Sequence, residues 1–185
     1  MELFGSYTSP FVRHCRIALL ETGLACTFVE TDYAESARRS PTKKVPYLHD
    51  GDVMLFDSCS ILKYLREKAG GSFLADVKQF DRFSMINTAL DATVNLFLLE
   101  KEGVTPANND YLKRQQARVE SSVAEMNRFV LAQQAPYNDA ELRLACYIDW
   151  VIFRNRLDLS PYPELTAFVT QAHAYEPFHV TRPPQ

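Results

Sequence analysis

The chain has 185 residues, 46% hydrophobic and 23% charged, the composition of an ordinary globular protein with room for one large or two small domains. Twenty basic against twenty-three acidic residues leave a net charge of −3, which argues against nucleic acid or an anionic membrane as the main partner. No stretch approaches the roughly 20 apolar residues of a membrane span, and the opening Met1-Glu2-Leu3-Phe4-Gly5 lacks the basic and apolar regions of a secretion signal, so a cytoplasmic protein is expected.

In chain order, Leu3-Phe4 reads as a short buried strand ending at Gly5-Ser6. Ser9-Pro10 opens a helix, with serine as N-cap and proline in the first turn. Val12, Cys15 and Leu19 make its apolar face and Gly23 stops it. Cys26 to Thr31 is a second strand, and the strand-helix-strand crossover favours parallel pairing. Tyr33 to Lys44 is polar and weakly structured. Val45 to Leu48 and Val53 to Phe56, joined through Asp50-Gly51-Asp52, read as a hairpin. Asp57-Ser58 caps a helix carrying Ile61, Leu62 and Leu65, and Gly70-Gly71 ends it.

The remainder is helical in period. Phe80, Phe83, Asn87, Leu90, Val94 and Phe97 share one face, as do Leu112, Val119, Val123, Met126 and Val130. Asn138 and Glu141 form a capping box before Leu142, Ala145, Ile152 and Phe153. Pro163 opens a last helix with Leu165, Phe168, Val169 and Ala172. The change from mixed strands and helices to helix alone sets a domain boundary at 76/77. Asp149 falls on the apolar face of its helix and reads as structural.

Cys15, Cys26, Cys59 and Cys146 are scattered, without a C-x-x-C pair, so neither a zinc site nor a dithiol redox motif is indicated. His14, His49, His173 and His179 show no metal spacing. No metal is expected. Cys15 lies on an apolar helix face and reads as core.

Ser9-Pro10-Phe11-Val12-Arg13, then Val45-Pro46, then Asp57-Ser58, in this order and followed by a helical half, resemble the cytosolic glutathione transferases. The closest likeness is to small bacterial members of the serine-using kind, and it extends over nearly the whole chain. The resemblance implies an α/β thioredoxin-like domain (βαβ-ββα, residues 1–76) that binds glutathione. An all-helical domain (77–185) would line the pocket of a hydrophobic electrophile. It further implies a detoxifying transferase, glutathione as co-substrate, and a homodimer.

Residue by residue, the resemblance implies a cis Val45-Pro46 bond that turns the Val45 N–H and C=O toward an extended peptide, which would pair like an added strand. Taken alone, Pro46 reads as a trans proline at a strand edge. Ser58, at a helix start with free N–H groups, would take the α-carboxylate of the glutamyl end, and Asp57 would face its amino group. Lys44 is a candidate for the glycine carboxylate end. Ser9 would stabilise the thiolate, with Tyr7 as the rival. Tyr7, Phe11, Leu96, Leu98, Leu99 and Tyr111 are candidates for the electrophile pocket. Simple capping explains Ser9 and Asp57-Ser58 equally well at the level of sequence.

The thiolate task is within reach of one hydroxyl. A cysteine thiol titrates near about 8.5, so ionising it at neutral pH takes about 2 units, or about 2.7 kcal/mol. A hydrogen bond to a charged group contributes about 1.5–3 kcal/mol, and a helix N-terminus about 0.3–1 kcal/mol.

Several positions depart from the family's pattern. The segment Tyr33 to Ser40 is short for the usual second helix, Ser40-Pro41 replaces Asn-Pro, and Lys43 stands where glycine is common. Weaker glutathione affinity is expected. The chain is also short between Val130 and Asn138, which implies an open electrophile pocket. The alternative to an enzyme is a non-catalytic module of the same fold that binds glutathione or a protein. A dithiol redox protein fails on the missing cysteine pair.

Overall fold

A computed structural model describes residues 1–184. The chain divides into two units, one of Met1–Ala75 together with the segment from His173 on, the other of Asp76–Ala172.

The first unit opens with β1 (Glu2–Gly5), α1 (Pro10–Thr22) and β2 (Thr27–Glu30), then α2 (Tyr33–Arg39), β3 (Tyr47–Asp50), β4 (Val53–Leu55) and α3 (Ser58–Lys68). The sheet order is β2-β1-β3-β4. β1 runs parallel to β2, with Phe4 opposite Val29, and antiparallel to β3, with Phe4 opposite Tyr47. β3 and β4 form the expected hairpin, with Leu48 opposite Leu55. Leu3, Leu48 and Tyr47 are fully buried, as are Val12, Cys15, Ile17 and Ala18 of α1 and Ile61, Leu62 and Leu65 of α3. Burial of each large aliphatic contributes about 1.5–3 kcal/mol.

The expected βαβ-ββα order is present, with one element added. The stretch from Tyr33, expected to be weakly structured, begins as α2. Asp32 caps it by accepting from the Glu35 N–H (2.7 Å). Glu35 pairs with Arg38 and Arg39, three and four residues on, the spacing at which helix side chains meet.

The second unit holds α4 (Val77–Lys101), α5 (Asp110–Met126), α6 (Asp139–Arg154) and α7 (Pro163–Ala172). The capping box at α6 forms as expected: Asn138 accepts from the Glu141 N–H (3.0 Å), and Glu141 accepts from the Asn138 N–H (2.9 Å). A buried hydroxyl pair, Thr93 with Tyr147 (2.7 Å), joins α4 to α6. Some periodic positions face outward instead of inward. Val130 lies past the end of α5 and is 86% exposed, and Ile152 and Phe153 are exposed at the end of α6. Asp149 is only partly buried.

The helix from Pro163 is not the last. A short α8 (Glu176–Val180) follows and belongs to the first unit, where it packs on α1. The segment from His173, expected in the helical half, therefore departs from that expectation. Its reason is the buried Arg13, whose guanidinium lies 3.8 Å from the Phe178 ring centre and donates to the Phe178 carbonyl (2.9 Å). No helix among the described residues is long and apolar enough to cross a membrane.

The close approach of β1 to α1 depends on Gly5. A Cβ at this position would lie 2.6 Å from both methyl carbons of the buried Val12. Gly5→Ala is expected to destabilise the fold by about 1–3 kcal/mol through overpacking. Thermal unfolding should show a fall of several degrees, about 2–4 °C per kcal/mol for a chain of this size. Adding Val12→Ala should recover part of it; additive losses would refute the contact.

Candidate functional site

Strand direction brings the predicted motifs together. β1 ends at Gly5 and leads to Ser9. Because β3 is antiparallel to β1, its first residue, Tyr47, lies opposite Phe4, so Val45-Pro46 stands at the same end of the sheet. β4 is antiparallel to β3, and its last residue, Leu55, lies opposite Leu48. Asp57 and Ser58 follow at that same end. Ser9, Lys44, Val45, Pro46, Asp57 and Ser58 thus share one edge of the first unit, although 49 positions separate Ser9 from Ser58.

Two bonds tighten this edge. The Thr42 hydroxyl donates to the Phe56 carbonyl (3.4 Å), tying the loop before Pro46 to the run into α3. The Cys15 thiol donates to the Ser58 carbonyl (4.0 Å), tying α1 to the start of α3. Thr42 escaped sequence reasoning; a trace of its role lies in the Ser40-x-Thr42 spacing, where the two hydroxyls are 2.8 Å apart. Cys15 is fully buried and all four cysteines are free thiols.

Ser9 is the N-cap of α1. Its hydroxyl accepts from the Val12 N–H (3.4 Å), and its carbonyl accepts from the Arg13 N–H (3.0 Å). A hydroxyl has two lone pairs and one proton, so capping leaves the proton for a ligand. The two roles that the sequence sets in competition use different parts of one group.

Asp57 caps α3 through the Cys59 N–H (2.8 Å) while its side chain stays exposed. Ser58, the first residue of α3, is buried. A helix start of this kind presents N–H donors and the positive end of the helix dipole to an anion.

The bond between Val45 and Pro46 is cis. Pro46 is buried and Val45 half-buried, while Lys44 is exposed. Lys43 has φ 53° and its N–H donates to the Ser40 carbonyl (2.9 Å). The glycine usual at this position in the resembling family has a physical reason here, since the left-handed region is disfavoured for side-chain-bearing residues.

Tyr7 takes another direction. Its ring packs on Phe28 of β2 (4.7 Å between centres) and under the Arg16 guanidinium (4.7 Å). Phe11 is half-buried in the first turn of α1. The other pocket candidates stand in the second unit, with Leu96 half-buried, Leu99 37% exposed and Tyr111 58% exposed. Among the described residues no group of His, Cys, Asp or Glu could hold a metal ion.

Comparison with known proteins agrees with this architecture. Residues 3–73 match the family model described as glutathione S-transferase, N-terminal domain. The chain is 30% identical over 205 residues to the uncharacterized GST-like protein YibF of Escherichia coli K12, covering all of both chains. Among solved structures, a glutathione transferase family member from Pseudomonas fluorescens Pf-5 with bound glutathione superposes with a TM-score of 0.86 at 22% identity, covering 100% of this chain and 99% of that one. A glutathione S-transferase from Methylobacillus flagellatus KT with bound glutathione gives 0.84 at 21% identity, covering 99% of each.

The left-handed Lys43 yields a stability test. Its conformation costs about 1–2 kcal/mol, against about 0.5–1 kcal/mol for the extra flexibility of glycine in the unfolded chain. Lys43→Gly should therefore raise the unfolding midpoint by a degree or more, read by calorimetric melting; a lower midpoint would contradict the assigned backbone.

Proposed function

This chain belongs to the glutathione transferase family, and from that premise we propose that it binds glutathione along the edge of its first unit and activates the thiol for attack on a small hydrophobic electrophile. The observation that carries the reading is the strand register. It gathers an N-cap hydroxyl, a backbone segment before Pro46 and a helix N-terminus at one end of the sheet.

In this reading the Val45 N–H and C=O pair with the extended tripeptide. The start of α3, with Ser58, takes the glutamyl carboxylate, and the exposed side of Asp57 takes the amino group. Lys44 meets the glycine carboxylate. The Ser9 hydroxyl donates to the sulfur and favours the thiolate, whose proton goes to solvent. The sulfur then attacks an electrophilic carbon; with a chlorinated aromatic, the C–S bond forms and chloride leaves.

Ser9 is preferred to Tyr7 because the Tyr7 ring is engaged with Phe28 and Arg16. Phe11 supplies apolar surface beside the sulfur. Leu96, Leu99 and Tyr111 are proposed for the electrophile, and a homodimer for the assembly.

Calorimetric titration with glutathione, paired with turnover of a chlorinated aromatic electrophile, tests the reading. Ser9→Ala should keep most of the affinity and lose roughly 10- to 100-fold in rate, the equivalent of the hydrogen bond to a charged sulfur. Tyr7→Phe should keep the rate. Absence of binding by the wild type would end the proposal, and binding without turnover on a broad electrophile panel would make the chain a binding module. An undiminished rate in Ser9→Ala would move the thiolate role elsewhere.

A further inference from the structure

The segment from His173 on lies along α1 and grips it at both ends. At the far end, Tyr175 donates to Glu21 (2.6 Å), and Glu21 also accepts from Arg66 of α3 (2.5 Å). At the near end, Arg13 donates to the Phe178 carbonyl (2.9 Å) and to the Thr181 hydroxyl (3.4 Å), with its guanidinium stacked over the Phe178 ring. Arg13 is 2% exposed, Thr181 1% and Phe178 0%. Arg16 adds a bond to the Thr181 carbonyl (3.3 Å).

The near end matters because of what else Arg13 holds. Its backbone N–H makes the first helical bond of α1, to the Ser9 carbonyl (3.0 Å). One residue is thus bonded to the C-terminal segment through its side chain and to Ser9 through its backbone. A planar guanidinium over a ring and between two oxygens has few alternative positions. A segment about 170 residues away in the chain thus bears on the position of α1 along its own axis, alongside β1 and α3, and with it on that of the Ser9 hydroxyl.

We infer that Arg13 is a positioning residue for Ser9, and that the segment from Tyr175 to Thr181 is the clamp through which it acts. This rests on the reading of Ser9 as the thiolate donor. A hydrogen bond to a sulfur depends on angle and distance, and a shift on the order of 1 Å is enough to cost about 100-fold in rate. The clamp therefore acts on the ionisation of the bound thiol more than on retention of the peptide, which is held elsewhere on the edge.

The experiment uses the full chain with three variants: Arg13→Lys, which keeps the charge and loses the planar fork; Thr181→Val, which keeps the shape and loses the hydroxyl; and Tyr175→Phe, which breaks the far grip alone. Four quantities are read: amide hydrogen exchange at Val12 and Arg13, the pH dependence of thiolate absorbance of bound glutathione, kcat with KM for glutathione, and the thermal unfolding midpoint.

Arg13→Lys should speed exchange at Val12 and Arg13 about tenfold. It should raise the pH at which the bound thiol ionises and lower kcat at neutral pH about tenfold, with KM little changed. Thr181→Val should move the same quantities by less. Tyr175→Phe should lower the unfolding midpoint and leave the thiol's ionisation where it was. Unchanged exchange in Arg13→Lys would overturn the clamp, whether or not glutathione binds. Faster exchange with an unmoved thiol ionisation and kcat would overturn the positioning role. An equal change in Tyr175→Phe would also overturn it, by reducing it to general loosening. Failure of the wild type to bind glutathione, by contrast, would refute the site reading while exchange still judged the clamp.

Discussion

The antiparallel pairing of β1 with β3 is the constraint on which the candidate site depends, because it decides which loops meet. Phe4 lies opposite Tyr47, and the two rings stack at 4.6 Å with 7° between their planes. Leu3 and Leu48, paired one step away, are both fully buried. A slip of one residue would turn β3 over relative to β1, putting Leu48 on the face opposite Leu3 and separating the stacked rings, a change strongly disfavoured where both strands are buried. The same register puts the Ser9 turn, the Val45-Pro46 segment and the start of α3 at one edge. Core packing and site assembly are therefore one constraint.

At that edge two groups that shape the fold, Ser9 and Asp57, are not buried. Ser9 gives a lone pair to the helix and keeps its proton. Asp57 caps α3 through the Cys59 N–H while its side chain remains exposed. Neither residue has to give up its structural bond to meet a ligand. A substitution there changes both tasks, so loss of stability and loss of function at these positions have to be measured separately. N-cap replacement by alanine alone costs about 1 kcal/mol.

Much of this was legible in the sequence, and the reasons are local. Ser9-Pro10 and Gly23 bracket α1 through capping and a left-handed stop, which a sequence displays directly; Gly23 has φ 66°. The capping box at Asn138 and the Asp-Gly hairpin are equally short-range. α2 was missed because its cap and ion pairs lie on a polar, partly exposed segment without the apolar period that marks a buried helix. Val130, Ile152 and Phe153 kept the period but lie where their helices end or face outward, which period alone cannot show. The docking of the segment from His173 was not legible at all. It depends on Arg13 meeting Phe178 across 165 positions, and an arginine on an otherwise apolar helix face carries no signal of its partner. At the site, the cis bond at Pro46 came from family resemblance, since Val-Pro by itself favours neither isomer enough to predict it.

The arrangement also explains why so little of the site needs distinctive side chains. In the proposed reading, the Val45 backbone and the helix N-terminus at Ser58 would recognise much of the peptide through groups that every residue carries. What must be kept is geometry: Gly5 to let α1 approach β1, Thr42 to tie the loop before Pro46, Cys15 and Ser58 to join the two helices, and Arg13 to fix the start of α1. Several of these residues stand away from any ligand, and most read in sequence as ordinary core or surface. In the proposed reading the charged ends of the peptide also meet the side chains of Lys44 and Asp57, whereas the sulfur answers to the single hydroxyl proton of Ser9, and that proton is only as well placed as the helix that carries it.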